Sequence, residues 1–257
     1  MVKGLYAAYT GMVNQQKRMD TLTNNLANAT TTGYKKEGAT SQSFDSVLAY
    51  RLKDQSTPGY AQRMGKMNLG VKIGENYTDW SQGAFETTDN PYDLALSGDG
   101  FFAVEFTNKA GEVSTKYTRD GSFTLDVNGN LVTSDGDFVL DTNGRHITLD
   151  PLADSVIRYD GSIVQNGTLI ANLQVADFED YDYLEHYGEN YYQPIDGAQF
   201  KNSQASVYSG FLESSNVETV SEMVEMISIQ RDYESNQKVI TTIDGTLDIA
   251  ANRIGQV

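Results

Sequence analysis

Apolar residues recur every seven positions near the start of the chain, at Leu5, Met12, Met19 and Leu26. Ala8, Leu22 and Ala29 fill a second position of the same frame, and Gln15 breaks it. So narrow a stripe marks a helix that packs along one seam against another helix. The end of the chain repeats the feature more fully. Met226, Ile229, Tyr233, Ile240, Ile243, Leu247, Ala250 and Ile254 follow alternating steps of three and four, interrupted at Asn236, and Val220, Val224 and Ile227 make a second stripe at the start. The spacing predicts helices over 5–29 and 217–254, the second roughly 57 Å long at about 1.5 Å per residue. Gly33 is the expected stop after the first helix, and Ser215-Asn216-Val217-Glu218 reads as a capping box opening the second. A seam this narrow stabilises little on one isolated helix. The two ends must therefore pair with each other, with neighbouring subunits, or with both; the plainer alternative is an antiparallel pair that closes a single domain.

Between the two ends the period changes. From about 97 to 174, short runs such as Phe101-Phe102-Ala103-Val104-Glu105-Phe106 and Ser122-Phe123-Thr124-Leu125 are punctuated by Asp120-Gly121, Asn128-Gly129, Asp135-Gly136, Asn143-Gly144, Asp160-Gly161 and Asn166-Gly167. Such pairs supply the positive φ angles of tight turns between antiparallel strands, so this region reads as an all-β, hairpin-rich domain. Residues 40–95 have few apolar runs and contain Gly65, Gly70, Gly74 and Gly83, and read as an extended connector; 177–197, rich in tyrosine and acid, reads as a loop with edge strands. The expected class is α+β, mainly β. The expected segments are a helical one (1–40), an extended connector (41–92), a β domain (93–197), a return connector (198–214) and a second helical segment (215–257).

The net charge of −16 is unevenly spread. Residues 1–72 hold ten Lys or Arg against four acids, a net of +6, which leaves −22 for the other 185. Most of the surface should repel nucleic acid and anionic membranes, while a basic beginning and an acidic body suit head-to-tail contact between identical chains. No run of about 18 apolar residues is present, and the weakly apolar start, with Tyr6, Tyr9 and Thr10, does not read as a cleaved signal. Cysteine is absent, which removes disulfides and thiolate metal sites.

Candidate chemistry does not survive inspection. The segment beginning Asp126-Val127-Asn128-Gly129-Asn130 starts like a calcium loop, but Leu131 stands where the sharp-turn glycine belongs and Asp137 where a bidentate glutamate belongs. Ser97-Gly98-Asp99-Gly100 has no following lysine to make a phosphate cradle. His146 and His186 are the only histidines, and neither has a recognisable nucleophile or metal partner. No cofactor is expected. A secreted β-rich adhesin or glycosidase is the alternative from another class, although no carboxylate pair stands out among 35 acids.

A family resemblance is carried by five segments. They are Asn24-Asn25-Leu26-Ala27-Asn28-Ala29-Thr30-Thr31-Thr32-Gly33-Tyr34-Lys35-Lys36; Asp93-Leu94-Ala95-Leu96-Ser97-Gly98-Asp99-Gly100-Phe101-Phe102; Tyr117-Thr118-Arg119-Asp120-Gly121-Ser122-Phe123 followed by Asn128-Gly129-Asn130-Leu131-Val132; Gly210-Phe211-Leu212-Glu213-Ser214-Ser215-Asn216-Val217; and Met226-Ile227-Ser228-Ile229-Gln230-Arg231-Asp232-Tyr233-Glu234. In order and content they resemble the flagellar rod and hook proteins from end to end. The resemblance implies terminal coiled-coil helices forming an inner stem, an extended connector and an outer β domain in a self-assembling, non-enzymatic subunit of a helical tube that carries motor torque. It further implies export by the flagellar type III apparatus without a cleaved signal, a place in the basal body outside the cytoplasmic membrane, and contacts with further copies, neighbouring rod and hook axial proteins and rings around the rod. The region 117–132 is nearer the distal-rod type, and Lys238-Val239-Ile240-Thr241-Thr242-Ile243-Asp244 has some likeness to the proximal type.

The candidate assembly residues are the two apolar stripes and the asparagines. Asn24, Asn25 and Asn28 are poor helix formers. Either they let the helix fray before Gly33, or Asn24 and Asn28, one turn apart, form a polar patch that fixes register against an adjacent helix.

Overall fold

The computed structural model describes residues 2–45, 47–51, 62–68, 70–109, 111–188 and 190–252, with the side chains of 2–3, 47–51 and 62–67 excepted. The chain is mainly β with one long helix at each end. It divides into two units, one comprising Met1–Ala27, Glu37–Asp79 and Glu218–Val257, the other Asn28–Lys36 and Trp80–Val217.

The first unit contains helix α1 (Val2–Ala27), strands β1 (Glu37–Ser43), β2 (Val47–Arg51), β3 (Gln62–Met67) and β4 (Val71–Thr78), and helix α2 (Thr219–Asn252). Its helices pack on one another, and α1 also packs on β1 and β4. The expected connector, 41–92, holds the antiparallel pair of β2 with β3 and also β4, whose partner β1 begins at Glu37 inside the segment expected to be helical. β1 reads Glu-Gly-Ala-Thr-Ser-Gln-Ser and has no apolar alternation to announce it. Its place is fixed by the helix: Asn14 donates to Ser41 Oγ (2.9 Å), and Val71 N–H donates to Thr10 Oγ1 (3.4 Å). α2 begins four residues later than Ser215, so the capping box is not formed. The Ser215 hydroxyl instead accepts the Val217 N–H (3.2 Å) in the turn before the helix.

The second unit carries β5 (Phe85–Thr87), β6 (Leu94–Ser97), β7 (Phe101–Thr107), β8 (Val113–Thr118), β9 (Phe123–Leu125), β10 (Leu131–Thr133), β11 (Phe138–Val139), β12 (Ser155–Ile157), β13 (Ser162–Gln165) and β14 (Thr168–Asn172). It continues with β15 (Val175–Phe178), β16 (Leu184–Tyr187), β17 (Tyr191–Pro194), β18 (Phe200–Asn202), β19 (Ser206–Ser209) and β20 (Phe211–Glu213). β7 is the centre of the largest sheet. β8 pairs along one side of it, and β15 and β11 share the other. Both faces of β7 are covered, as its apolar run requires. Phe102 and Val104 enter a core with Leu94, Phe123, Leu131 and Ile163, while Phe101 and Ala103 enter a second with Tyr117, Phe178 and Tyr192. Trp80 closes the second core against the Phe101 and Tyr192 rings.

Five of the six turn pairs end in a glycine of positive φ; Gly121 of Asp120-Gly121 does not, and a Cβ there would lie 1.7 Å from Leu94 O, so close backbone approach is what requires glycine. Asn166 (φ 52°) and Gly167 (φ 79°) both take left-handed angles, and they join β13 to β14 with Gln165 opposite Thr168. The glycines of four other pairs, at 129, 136, 144 and 161, also have positive φ.

Candidate assembly site

α1 and α2 run antiparallel, and the contacts between them fall at Gly4, Gly11, Gln15, Arg18 and Asn25, beside the Leu5, Met12, Met19 and Leu26 frame. A Cβ on Gly4 would lie 3.6 Å from Ile243 Cδ1, and one on Gly11 would lie 3.1 Å from Asn236 Nδ2. Farther along, Gln15 donates to Asp232 (3.3 Å), Arg18 meets Glu225 (2.7 Å), and Asn25 reaches Glu222 (3.4 Å). The step from Gly4 to Gly11 is matched by the step from Ile243 to Asn236, and these two glycines let the helices approach closely.

The stripe residues take different positions on this pair. Leu22 and Ile229 are buried; Leu5, Met12, Met19, Leu26, Met226, Tyr233, Ile240 and Ile243 are half-buried, and Leu247 is exposed. Val220, Val224 and Ile227 stand out on the other side of α2, 69%, 64% and 51% exposed, with Met223 beside them. Ile254 lies outside the described residues. Among the asparagines, Asn24 is exposed, Asn28 half-buried and Asn25 fully buried. Asn25 donates to Glu37 O (2.8 Å) and accepts the Glu37 N–H (3.0 Å), so one side chain ties the end of α1 to the first residue of β1.

The second unit holds a buried ion cluster that stripe analysis did not single out. Glu213, 1% exposed, accepts from Lys35 Nζ at 2.6 Å, from Arg119 Nη1 at 3.2 Å and from the Gly83 N–H at 3.0 Å. Lys35 also donates to Ser81 O and Arg119 to Gly98 O, each at 2.8 Å. The turn that delivers Lys35 depends on Gly33, whose φ is +68° and whose N–H donates to Glu213 O (2.7 Å); a Cβ there would come within 2.4 Å of the Arg119 and Asp120 backbone. Three separate sequence segments therefore converge on one site: Gly33-Tyr34-Lys35, Arg119-Asp120 and Glu213. The signal available in the sequence was that each charged member sits inside a long motif. Asn25 and Glu222 gave no comparable signal, because they read as poor or ordinary helix residues.

The described residues contain no group of three or more His, Cys, Asp or Glu able to hold a metal, and no helix among them is long and apolar enough to cross a membrane. The arrangement offers packing surfaces and buried ion pairs.

Comparison with known proteins agrees with the motifs. Family models match in chain order: "Flagella basal body rod protein" at residues 5–35, "Flagellar hook protein FlgE/F/G D1 domain" at 95–171 and "Flagellar basal body rod FlgEFG protein C-terminal" at 208–254. The flagellar basal-body rod protein FlgG of Buchnera aphidicola subsp. Schizaphis graminum is 34% identical over 265 residues, covering 96% of this chain and 98% of that protein. The flagellar hook-basal body complex protein FlhO of Bacillus subtilis is 34% identical and the flagellar basal-body rod protein FlgF of Caulobacter vibrioides 32% identical, each over the full length of both chains.

Proposed function

Since the chain belongs to the flagellar basal-body rod protein family and is a structural subunit of that rod, we propose that α1 and α2 form a coiled-coil stem and that the exposed stripe of α2 is where neighbouring subunits pack. The observation that carries this reading is the two-sidedness of α2. One side lies against α1, while Val220, Met223, Val224 and Ile227, at steps of three and four, stand exposed on the other. Burying four half-exposed apolar side chains contributes on the order of 3–6 kcal/mol per contact, enough to bias assembly when several neighbours add theirs. In this reading the β unit makes the outer lateral contacts, and the subunit works mechanically rather than as an enzyme, passing motor torque towards the hook and filament. It reaches its place outside the cytoplasmic membrane through the flagellar type III apparatus without a cleaved signal. Its partners are further copies, the axial proteins above and below, and rings around the rod.

We favour the distal-rod type, supported by the FlgG relative; the full-length FlgF relative keeps the proximal type as the second reading. The test is replacement of the chromosomal gene by the Val224→Asp, Ile227→Asp variant, followed by electron microscopy of basal bodies. Secreted subunit with absent or truncated rods is expected; full-length rods with normal swimming would overturn the role of the stripe. Labelling the chain in intact basal bodies separates distal from proximal placement.

A further inference from the structure

The first unit contains a groove between α1 and the β1–β4 pair, about 160 Å³ in volume. Val13 and Val71 line it, Tyr9 and Phe44 wall it, and among the described residues the charged members of its lining are Lys17 and Lys72. It is thus an apolar slot with a cationic mouth, sized for one large side chain.

The second unit carries the complementary feature. Residues 177–197 contain seven acids and no Lys or Arg. Asp177 is buried and paired with Lys201 (3.4 Å), but Glu179, Asp180, Asp182, Glu185 and Asp196 are exposed. Among them stands Tyr183, 41% exposed, at the end of a single 3₁₀ turn (Tyr181–Tyr183) that leads into β16. β16 is the outer strand of its sheet, paired only with β17 among the described strands. An aromatic side chain flanked by Asp182 and Glu185 is therefore presented at the sheet margin.

We propose that the groove receives Tyr183 and its flanking carboxylates from a second copy of the chain. The inference rests on the rod-subunit reading and adds to it a specific outer contact. Two different patches of one chain meet, so the contact is heterologous and propagates from copy to copy instead of closing a dimer. Opposite charges at the rim favour that pairing over groove-to-groove or loop-to-loop contact and speed encounter, while the tyrosine ring supplies apolar area within the slot.

The absence of cysteine makes a direct test available. Lys72→Cys and Asp182→Cys are made as separate single-cysteine chains, mixed as purified protein, co-expressed in cells lacking the wild-type gene, and oxidised. The mixed disulfide is expected to exceed either same-variant disulfide at least tenfold. Adding Lys17→Glu to the Lys72→Cys chain should cut it about tenfold, and Glu185→Lys on the partner chain should restore it. A statistical mixture of the three disulfides overturns the proposal. So does a cross-link that forms only when both cysteines sit in one chain, which would make the contact internal. Basal bodies that contain both variants without excess mixed disulfide sink this contact and leave the rod-subunit reading standing; basal bodies from which the chain is absent sink that reading itself.

Discussion

Replacing Glu213 by Gln removes one charge from the middle of a site where water cannot replace it. The two side chains are nearly the same size, so no cavity forms and the change is electrostatic. Glu213, Lys35 and Arg119 are 1%, 2% and 5% exposed, and the carboxylate accepts from both cations and from the Gly83 N–H. Glutamine keeps one acceptor oxygen but turns an NH₂ group towards a donor, and it takes away the carboxylate charge that Lys35 and Arg119 share. At the 2.6 Å of the Lys35 pair, the gross attraction is roughly 6 kcal/mol for an effective dielectric of about 20. The loss on breaking a buried pair from one side is about 3–5 kcal/mol. For a unit of this size each kcal/mol moves the melting temperature by about 2–4 °C, so the transition of the second unit should fall by roughly 6–20 °C. Calorimetry and urea titration of the full chain read both quantities. The double variant Lys35→Met, Glu213→Gln removes one of the two cations together with the carboxylate they share and should be less destabilised than the sum of its single changes. A loss under about 1 kcal/mol, or strict additivity in the double variant, would mean that the cluster behaves like a solvated surface pair and that the argument from burial is wrong.

Other substitutions test other parts of the structure. Burial pushes the Asp120 carboxyl above its ordinary 3.8, with Asp135 adding to the rise, although Thr32 and the Ser122 N–H pull it down. A carboxyl held up in the folded state costs stability as pH rises from the unfolded value through the folded one, so Asp120→Asn should gain on wild type across that window and run parallel to it above; urea midpoints from pH 3.5 to 7 would expose the error if the gain were flat. Asn25→Ala strips the side-chain donor and acceptor from the half-buried Glu37 backbone and should cost about 2 kcal/mol, with at least tenfold faster exchange of the Glu37 amide; unchanged exchange would remove the tie between α1 and β1. Gly33→Ala meets both a positive φ and a backbone approach of 2.4 Å and should cost more than about 3 kcal/mol, and a wild-type melting temperature would contradict it. Ile243→Asp puts a charge where α2 meets Gly4 of α1 and should abolish swimming while secretion continues; normal swimming would show that position 243 is not a packing position.

The sequence by itself determined the periodic and the punctuated parts of this chain. A seven-residue recurrence of Leu, Met and Ile can be satisfied only by burying one side of a helix, and helices indeed span Val2–Ala27 and Thr219–Asn252. Asn-Gly and Asp-Gly pairs have few conformations other than a tight turn, and those at 128, 135, 143, 160 and 166 end in glycines with positive φ. The run at 101–104 is apolar throughout and could be satisfied only by a strand covered on both faces. Tertiary structure decided the rest, wherever the local sequence was neutral between outcomes. β1 is a polar strand with no pattern of its own, and it is held by its pairing with β4 and by the bond that Asn14 of α1 donates to Ser41. Asn24, Asn25 and Asn28 are chemically alike, and a rotation of about 100° per residue along the helix decides that the middle one is buried while Asn24 is exposed. Lys35, Arg119 and Glu213 are ordinary charges in the sequence, separated by 84 and 94 positions. Only their convergence at one buried point, forced by Gly33 and the pairing of β20 with β5, turns them into an ion cluster. Desolvation depends on what surrounds a charge in space, and no local pattern records it.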